Sequence, residues 1–65
     1  MLQYRVEFSD GRLPEVLEVE ADQEVMQALC EIYRLTPPLI PSRTKGIIAV
    51  WLLDGNGKSK RRIWP

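Results

Sequence analysis

The sequence contains one long unbroken apolar run, Gly46-Ile47-Ile48-Ala49-Val50-Trp51-Leu52-Leu53. The run is too short to span a membrane, which takes about 20 apolar residues in a helix. Its β-branched and aromatic residues instead predict a buried strand. We therefore expect the rest of the 65-residue chain to form cover or edges around this central strand.

Three further strands are predicted on the two sides of the central strand. Apolar and polar residues alternate from 2 to 8, and Asp10-Gly11 then favours a hairpin turn into a second strand at 13–20. After the central strand, the two glycines of 54–57 predict another turn, and 58–64 returns as the last strand.

A single helix is predicted between the second and third strands, over residues 22–35. Asp22 is placed to act as its N-cap, and Pro37 disfavours helical geometry in the residue before it. Residues 36–45 form a proline-rich loop in which Leu39-Ile40-Pro41 is apolar. The helix presents one apolar stripe, formed by Val25, Ala28, Leu29 and Ile32.

The order β-β-α-β-β predicts a single α+β domain over residues 1–65. The first and third strands are the most apolar and belong in the middle, whereas Pro14 and the lysines of the last strand suit edges. We expect an antiparallel sheet in the order 2-1-3-4 with the helix on one face. The alternative is a β-grasp-like mixed sheet, in which strands 1 and 4 are parallel neighbours.

The central strand is apolar on both faces, and one short helix covers only one of them. The uncovered face predicts a non-enzymatic protein-interaction domain, either an adaptor or a self-associating homodimer. The opposing interpretation is that the loop and the side chains of Arg5, Glu18 and Arg61 provide the cover. The predicted interface residues are Ile48, Val50, Trp51, Leu52, Leu39 and Ile40.

The chain has zero net charge, but its charges are unevenly distributed. Residues 1–35 hold eight acidic and three basic residues, and 36–65 hold one acidic and six basic residues. The basic last strand predicts an alternative function, nucleic-acid binding by phosphate contacts and base stacking. The simpler interpretation is a solubilising edge strand. The nucleic-acid candidates are Lys58, Lys60, Arg61, Arg62 and Trp64.

The residue types needed for catalysis, metal binding or disulfides are scarce. The chain has no histidine and one cysteine, Cys30, which excludes an internal disulfide and a zinc site built from cysteine and histidine. Cys30 lies mid-helix and is expected to be a buried structural thiol. We therefore expect no enzyme activity, cofactor, metal or membrane span. The cysteine usage and an N-terminal segment unlike a secretory signal favour the cytoplasm.

Overall fold

The computed structural model describes residues 1–40 and 43–65. The two remaining residues, Pro41 and Ser42, fall in the predicted loop. The expectation that Pro41 stiffens this loop and helps to cover the sheet therefore concerns a residue outside the described ranges. The described elements, in chain order, are β1 (Leu2–Phe8), β2 (Glu15–Val19), a 3₁₀ turn (Asp22–Glu24), α1 (Val25–Tyr33), β3 (Ile47–Leu53) and β4 (Ser59–Trp64).

The four strands form one antiparallel sheet in the order β2-β1-β3-β4, which confirms the predicted order. The two most apolar strands occupy the centre, where both of their edges are hydrogen-bonded. The β-grasp-like alternative is wrong, because β1 pairs with β2 and β3 and has no ladder with β4. The polar strands β2 and β4 form the two edges.

The core lies between α1 and one face of the sheet. From the sheet, Tyr4, Val6 and Val50 are fully buried, and α1 contributes Val25 and Leu29. Burial of a side chain of this size stabilises the fold by about 1.5–3 kcal/mol. The other core residues are Phe8, Leu17, Leu35, Ile47, Leu52 and Trp64.

Two of the strand pairings contain extra residues, one in the β1–β3 ladder and two in the β3–β4 ladder, and each breaks the regular alternation of faces. In β3, Glu7 pairs with Ala49 and the next residue, Phe8, pairs with Ile47, so Ile48 is the extra residue. A bulge of this kind locally changes which side of the sheet the following residues face.

Because of the bulge at the end of β4, Trp64 does not lie on the face that strict alternation predicts. Strict alternation places Trp64 on the same face as Arg62. In the structure Trp64 pairs with Val50 and Arg62 pairs with Trp51, so one extra residue lies between them. The extra residue turns the indole of Trp64 into the core, where it is 8% exposed, and leaves Arg62 on the opposite face.

The helix is shorter than predicted and begins differently. The proposed N-cap role of Asp22 is wrong, because α1 begins at Val25 after the 3₁₀ turn and neither helix has a side-chain cap. The Asp22 carboxylate instead accepts hydrogen bonds from the Tyr4 hydroxyl and the Arg61 guanidinium. Tertiary partners have therefore replaced the local cap. Ile32, predicted in the apolar stripe, is 58% exposed.

Candidate functional site

The face of the sheet opposite α1, here called the open face, is the first candidate site. The strand register places alternate residues of each strand on it. Among the described residues, the only α-helix packs on the other face. The register places on it Gln3, Arg5, Glu7, Val16, Glu18, Ala49, Trp51, Leu53, Ser59 and Arg62. Ile48, the extra residue of β3, is assigned to the same face because it is 47% exposed while Ile47 before it is 3% exposed in the core.

Trp51 lies at the centre of the open face and is held by charged neighbours. Its Nε1 donates a hydrogen bond to Glu7 Oε1 at 2.8 Å, and the Arg62 guanidinium lies 5.6 Å from the ring centroid. The Arg5 Nε lies 3.4 Å from the Glu7 carboxylate, and a guanidinium nitrogen of Arg5 donates to the Ser59 hydroxyl. These contacts fix the indole in one orientation and leave it partly accessible.

Apolar side chains flank this polar cluster. Ile48 is 47% exposed and Val16 is 57% exposed. Ala49, which pairs with Glu7, is only 4% exposed and adds little accessible apolar surface. The open face is therefore a mixed surface of apolar patches around an anchored tryptophan.

Two of the six predicted interface residues share the open face, Ile48 and Trp51. The structure places Val50 and Leu52 in the core beneath α1, so in this fold they are not accessible to a partner. This corrects the predicted interface, and the reason is that α1 covers the face of β3 that carries them.

Of the two loop members of that predicted interface, Leu39 lies on the helix side of the sheet. Leu39 packs against the core cluster, and its carbonyl accepts a hydrogen bond from Trp64 Nε1 at 3.3 Å. Ile40 is exposed. The described part of the proline-rich loop therefore adds to the cover that α1 provides.

Sequence reasoning missed Val16 and Arg62 as contributors to the open face. Of the side chains considered as cover, Arg5 and Glu18 lie on this face, whereas Arg61 lies on the helix side. The signal that could have placed these residues was the predicted strand order. Once β1 neighbours β3, the polar residues of β1 have to lie beside one face of β3, and Trp51 is the side chain there that can accept a cation over its ring.

The two arginines of the predicted nucleic-acid strand face opposite sides of the sheet. Arg61 forms an ion pair with Asp22 on the helix side. Arg62 lies over Trp51 on the open face and donates to the Ile48 carbonyl at 3.3 Å. Both guanidinium groups already have intramolecular partners.

The remaining nucleic-acid candidates are also separated. Trp64 is buried, so its ring is not available for base stacking. Lys58, in the turn before β4, and Lys60, near the start of β4, are both exposed. The structure therefore does not bring the five predicted residues together on one surface.

Asp22 links three separate parts of the fold through its carboxylate. The hydrogen bond from Tyr4 and the Arg61 guanidinium lower the pKa of Asp22 below its usual value. Burial and the same hydrogen bond raise the pKa of the Tyr4 hydroxyl to about 12. These contacts connect the central strand β1, the 3₁₀ turn and the edge strand β4.

An apolar groove of about 550 Å³ lies between α1 and the loop that follows it. Cys30 lines this groove and is half-buried, rather than fully buried as predicted. Across residues 1–40 and 43–65, no three histidine, cysteine, aspartate or glutamate side chains group as a metal site would require. Within the same residues, no helix has the length and apolar character needed to cross a membrane.

Comparison of the chain with protein-family models, with curated proteins and with solved structures finds no match.

Proposed function

We propose that this domain is a non-enzymatic protein-interaction module that self-associates through the open face of its sheet. The observation that carries the proposal is the exposure of Ile48 and Val16 on either side of Trp51, on a face over which no described helix packs. Charged side chains of β1 separate Val16 from Ile48, and together with Trp51 these residues form a mixed surface in which an aromatic ring and arginines are present, as is common at non-obligate interfaces. The single cysteine and the absence of histidine favour this role over catalysis and support a reducing, cytoplasmic setting.

The charges of the open face favour a second copy as the partner. Arg5 and Arg62 balance Glu7 and Glu18, so the surface has no net charge and both signs are available for self-complementary contacts. A two-fold interface is self-complementary by definition, since the same patch is used twice.

The charges in the row of residues that crosses the sheet at Trp51 favour one direction of the two-fold axis over the other. This row reads Val16, Arg5, Trp51 and Arg62 from β2 to β4. Consider two-fold axes in the plane between two facing sheets. An axis that runs along this row, perpendicular to the strands, places Arg5 opposite Arg5 and Arg62 opposite Arg62 of the second copy, and like charges repel. An axis parallel to the strands, between β1 and β3, places Arg5 opposite Trp51 of the second copy, where a cation–π contact is favourable.

The size of the face predicts a weak dimer. Four strands about 4.8 Å apart and seven residues of about 3.4 Å give a face of about 19 by 24 Å. Two such faces bury about 900 Å² in total, which is below the range of about 1,200–2,000 Å² for stable complexes. Dissociation in the micromolar to millimolar range is therefore expected.

The test is sedimentation equilibrium of the wild type and two charge variants at protein concentrations up to about 1 mM. Ile48→Glu introduces a charge into the open face and should abolish the dimer. Ile32→Glu is the matched control, because Ile32 is similarly exposed but lies on α1. A wild type that stays monomeric throughout, or a control that dissociates the dimer equally, refutes the proposal.

The alternative prediction, nucleic-acid binding by β4, has less support, because Trp64 is buried and Arg61 is already paired. A low-salt filter-binding titration with single- and double-stranded DNA and RNA tests it separately. The comparison is between the wild type and a Lys60→Glu, Arg62→Glu double variant. Binding that the double variant abolishes would support this function over self-association.

A further inference from the structure

A second concave surface lies at the opposite end of α1 from Asp22, away from the open face. It has a volume of about 390 Å³ and is formed by the C-terminal end of α1 and the segment that leads into β3. We call it the basic concavity. Its lining residues are Arg34, Leu35, Thr36, Pro37, Arg43 and Lys45.

Three cations converge on the basic concavity without an acidic partner. Arg34, Arg43 and Lys45 all line it, and no aspartate or glutamate does. The ion pairs of the described chain use other bases, namely Arg5, Arg12 and Arg61. The concavity therefore has a local charge of +3 in a protein whose net charge is zero.

The helix terminus accounts for one of these cations. The C-terminal end of a helix carries partial negative charge, which favours a nearby cation. Lys45 meets this need, since its Nζ donates to the Arg34 carbonyl at 3.4 Å. The guanidinium groups of Arg34 and Arg43 make no such contact in the described chain, and they remain available to a ligand.

The backbone around the concavity is held in place before any ligand arrives. Arg12 Nη2 donates to the Lys45 carbonyl at 2.7 Å, and the amide of Arg43 donates to the Ile40 carbonyl at 2.9 Å. Just after the end of α1, the amide of Leu35 donates to the Cys30 carbonyl, also at 2.9 Å. Because the backbone positions of residues 35, 43 and 45 are fixed by these bonds, a ligand has to order only the exposed side chains of Arg34 and Arg43.

We propose that the basic concavity binds a small molecule that carries a phosphate or diphosphate group. Guanidinium groups match the geometry of phosphate oxygens, and the Thr36 hydroxyl adds a neutral donor. The volume exceeds what one phosphate group fills and lies within the range of about 300–1,000 Å³ of small-molecule sites. Pro37 offers an apolar surface to the rest of the ligand. The site is independent of the open face and of self-association.

The test is an NMR titration of ¹⁵N-labelled protein with inorganic phosphate, pyrophosphate and adenosine monophosphate in separate arms. Saturable shifts are expected at the amides of residues 34–36 and 43–46, with pyrophosphate tighter than phosphate. Tighter binding of the nucleotide than of phosphate would identify a phosphate ester as the ligand; equal binding would identify the free anion. Raising the salt from about 50 to about 200 mM should weaken every arm.

Three variants localise the binding. Arg34→Gln and Arg43→Gln should each weaken pyrophosphate binding about tenfold, as expected for loss of one charge-assisted contact. Lys58→Gln, in the turn before β4, is the matched control and should leave binding unchanged. The proposal is overturned if no arm saturates by about 10 mM, if the shifts centre on residues 58–62, or if the control weakens binding equally. Binding of an oligonucleotide with none of the small phosphates would also overturn it.

Discussion

The helix α1 has two large aliphatic residues about one turn apart, Leu29 and Ile32, and the structure predicts a large loss of stability when Leu29 is truncated and almost none when Ile32 is truncated. Leu29 is 1% exposed in the core, whereas Ile32 is 58% exposed. Leu29→Ala removes three carbon atoms, worth about 2.4 kcal/mol at about 0.8 kcal/mol each. The residual cavity adds up to about 2 kcal/mol, so we expect a loss of about 2.5–4.5 kcal/mol.

That loss is a large share of the total stability. A domain of this length has a free energy of unfolding of about 3–10 kcal/mol. Ile32→Ala removes side-chain atoms that mostly contact water, and alanine is the better helix former. Its effect should be within about 0.5 kcal/mol of zero.

Urea denaturation followed by far-UV circular dichroism measures both effects, with unchanged m-values as the control for two-state behaviour. Should Leu29→Ala be unfolded in buffer, Leu29→Val removes a single methylene and should cost about 1 kcal/mol. A cost below about 1 kcal/mol for Leu29→Ala, or a larger cost for Ile32→Ala than for Leu29→Ala, would show that α1 packs with a different face.

Three further predictions concern pH and backbone conformation. Because the pKa of Asp22 is depressed in the fold, the contribution of Asp22 to stability is present above about pH 4 and is lost as the pH falls. Asp22→Asn should therefore flatten the acid limb of a curve of unfolding free energy against pH, and an unchanged limb contradicts this. Burial, together with the hydrogen bond to Asp22, raises the pKa of Tyr4 to about 12, so its contribution to stability is present below about pH 10 and lost above it. Tyr4→Phe should reduce the loss of stability between about pH 10 and 12 in the same measurement, and an identical alkaline limb argues against a raised pKa of Tyr4. Gly46 has φ +92°, and an added Cβ would lie 3.2 Å from an Arg12 nitrogen. Gly46→Ala should therefore lower the free energy of unfolding by about 1 kcal/mol or more in urea titrations. Gly55→Ala should be nearly neutral, because nothing lies within 4 Å of its added Cβ, and equal costs for the two variants would contradict this account.

The strand order could be predicted from the sequence because it depends on the composition of whole strands. The apolar strands β1 and β3 gain most from central positions, and Pro14 and the lysines of β4 are tolerated best at edges. Each of these preferences is summed over several residues, so a local irregularity does not reverse it.

The faces of individual residues were harder to predict, because alternation fails after a single extra residue. The bulge before Trp64 moves this side chain from the predicted basic surface into the core. A bulge is a backbone irregularity that leaves little trace in the order of apolar and polar residues. The role of Asp22 was missed for a related reason, since its partners, Tyr4 and Arg61, are distant in sequence.

The basic concavity could not be predicted from the sequence. Its three cations come from the end of α1 and from the far side of the proline-rich loop, and none belongs to a run of basic residues. The excess of bases in residues 36–65 includes Arg43 and Lys45 but not Arg34, and it does not indicate which bases meet in space.

The central pairing of β1 with β3 has a consequence for how the chain folds. Each of the other two ladders joins strands that are neighbours in sequence, but Glu7 and Trp51, on either side of the central pairing, are 44 positions apart. An isolated two-stranded hairpin is at best marginally stable in water, so neither half should persist alone. The halves become stable only when they meet and α1 closes over them, and we expect the chain to fold in one cooperative step limited by that long-range encounter.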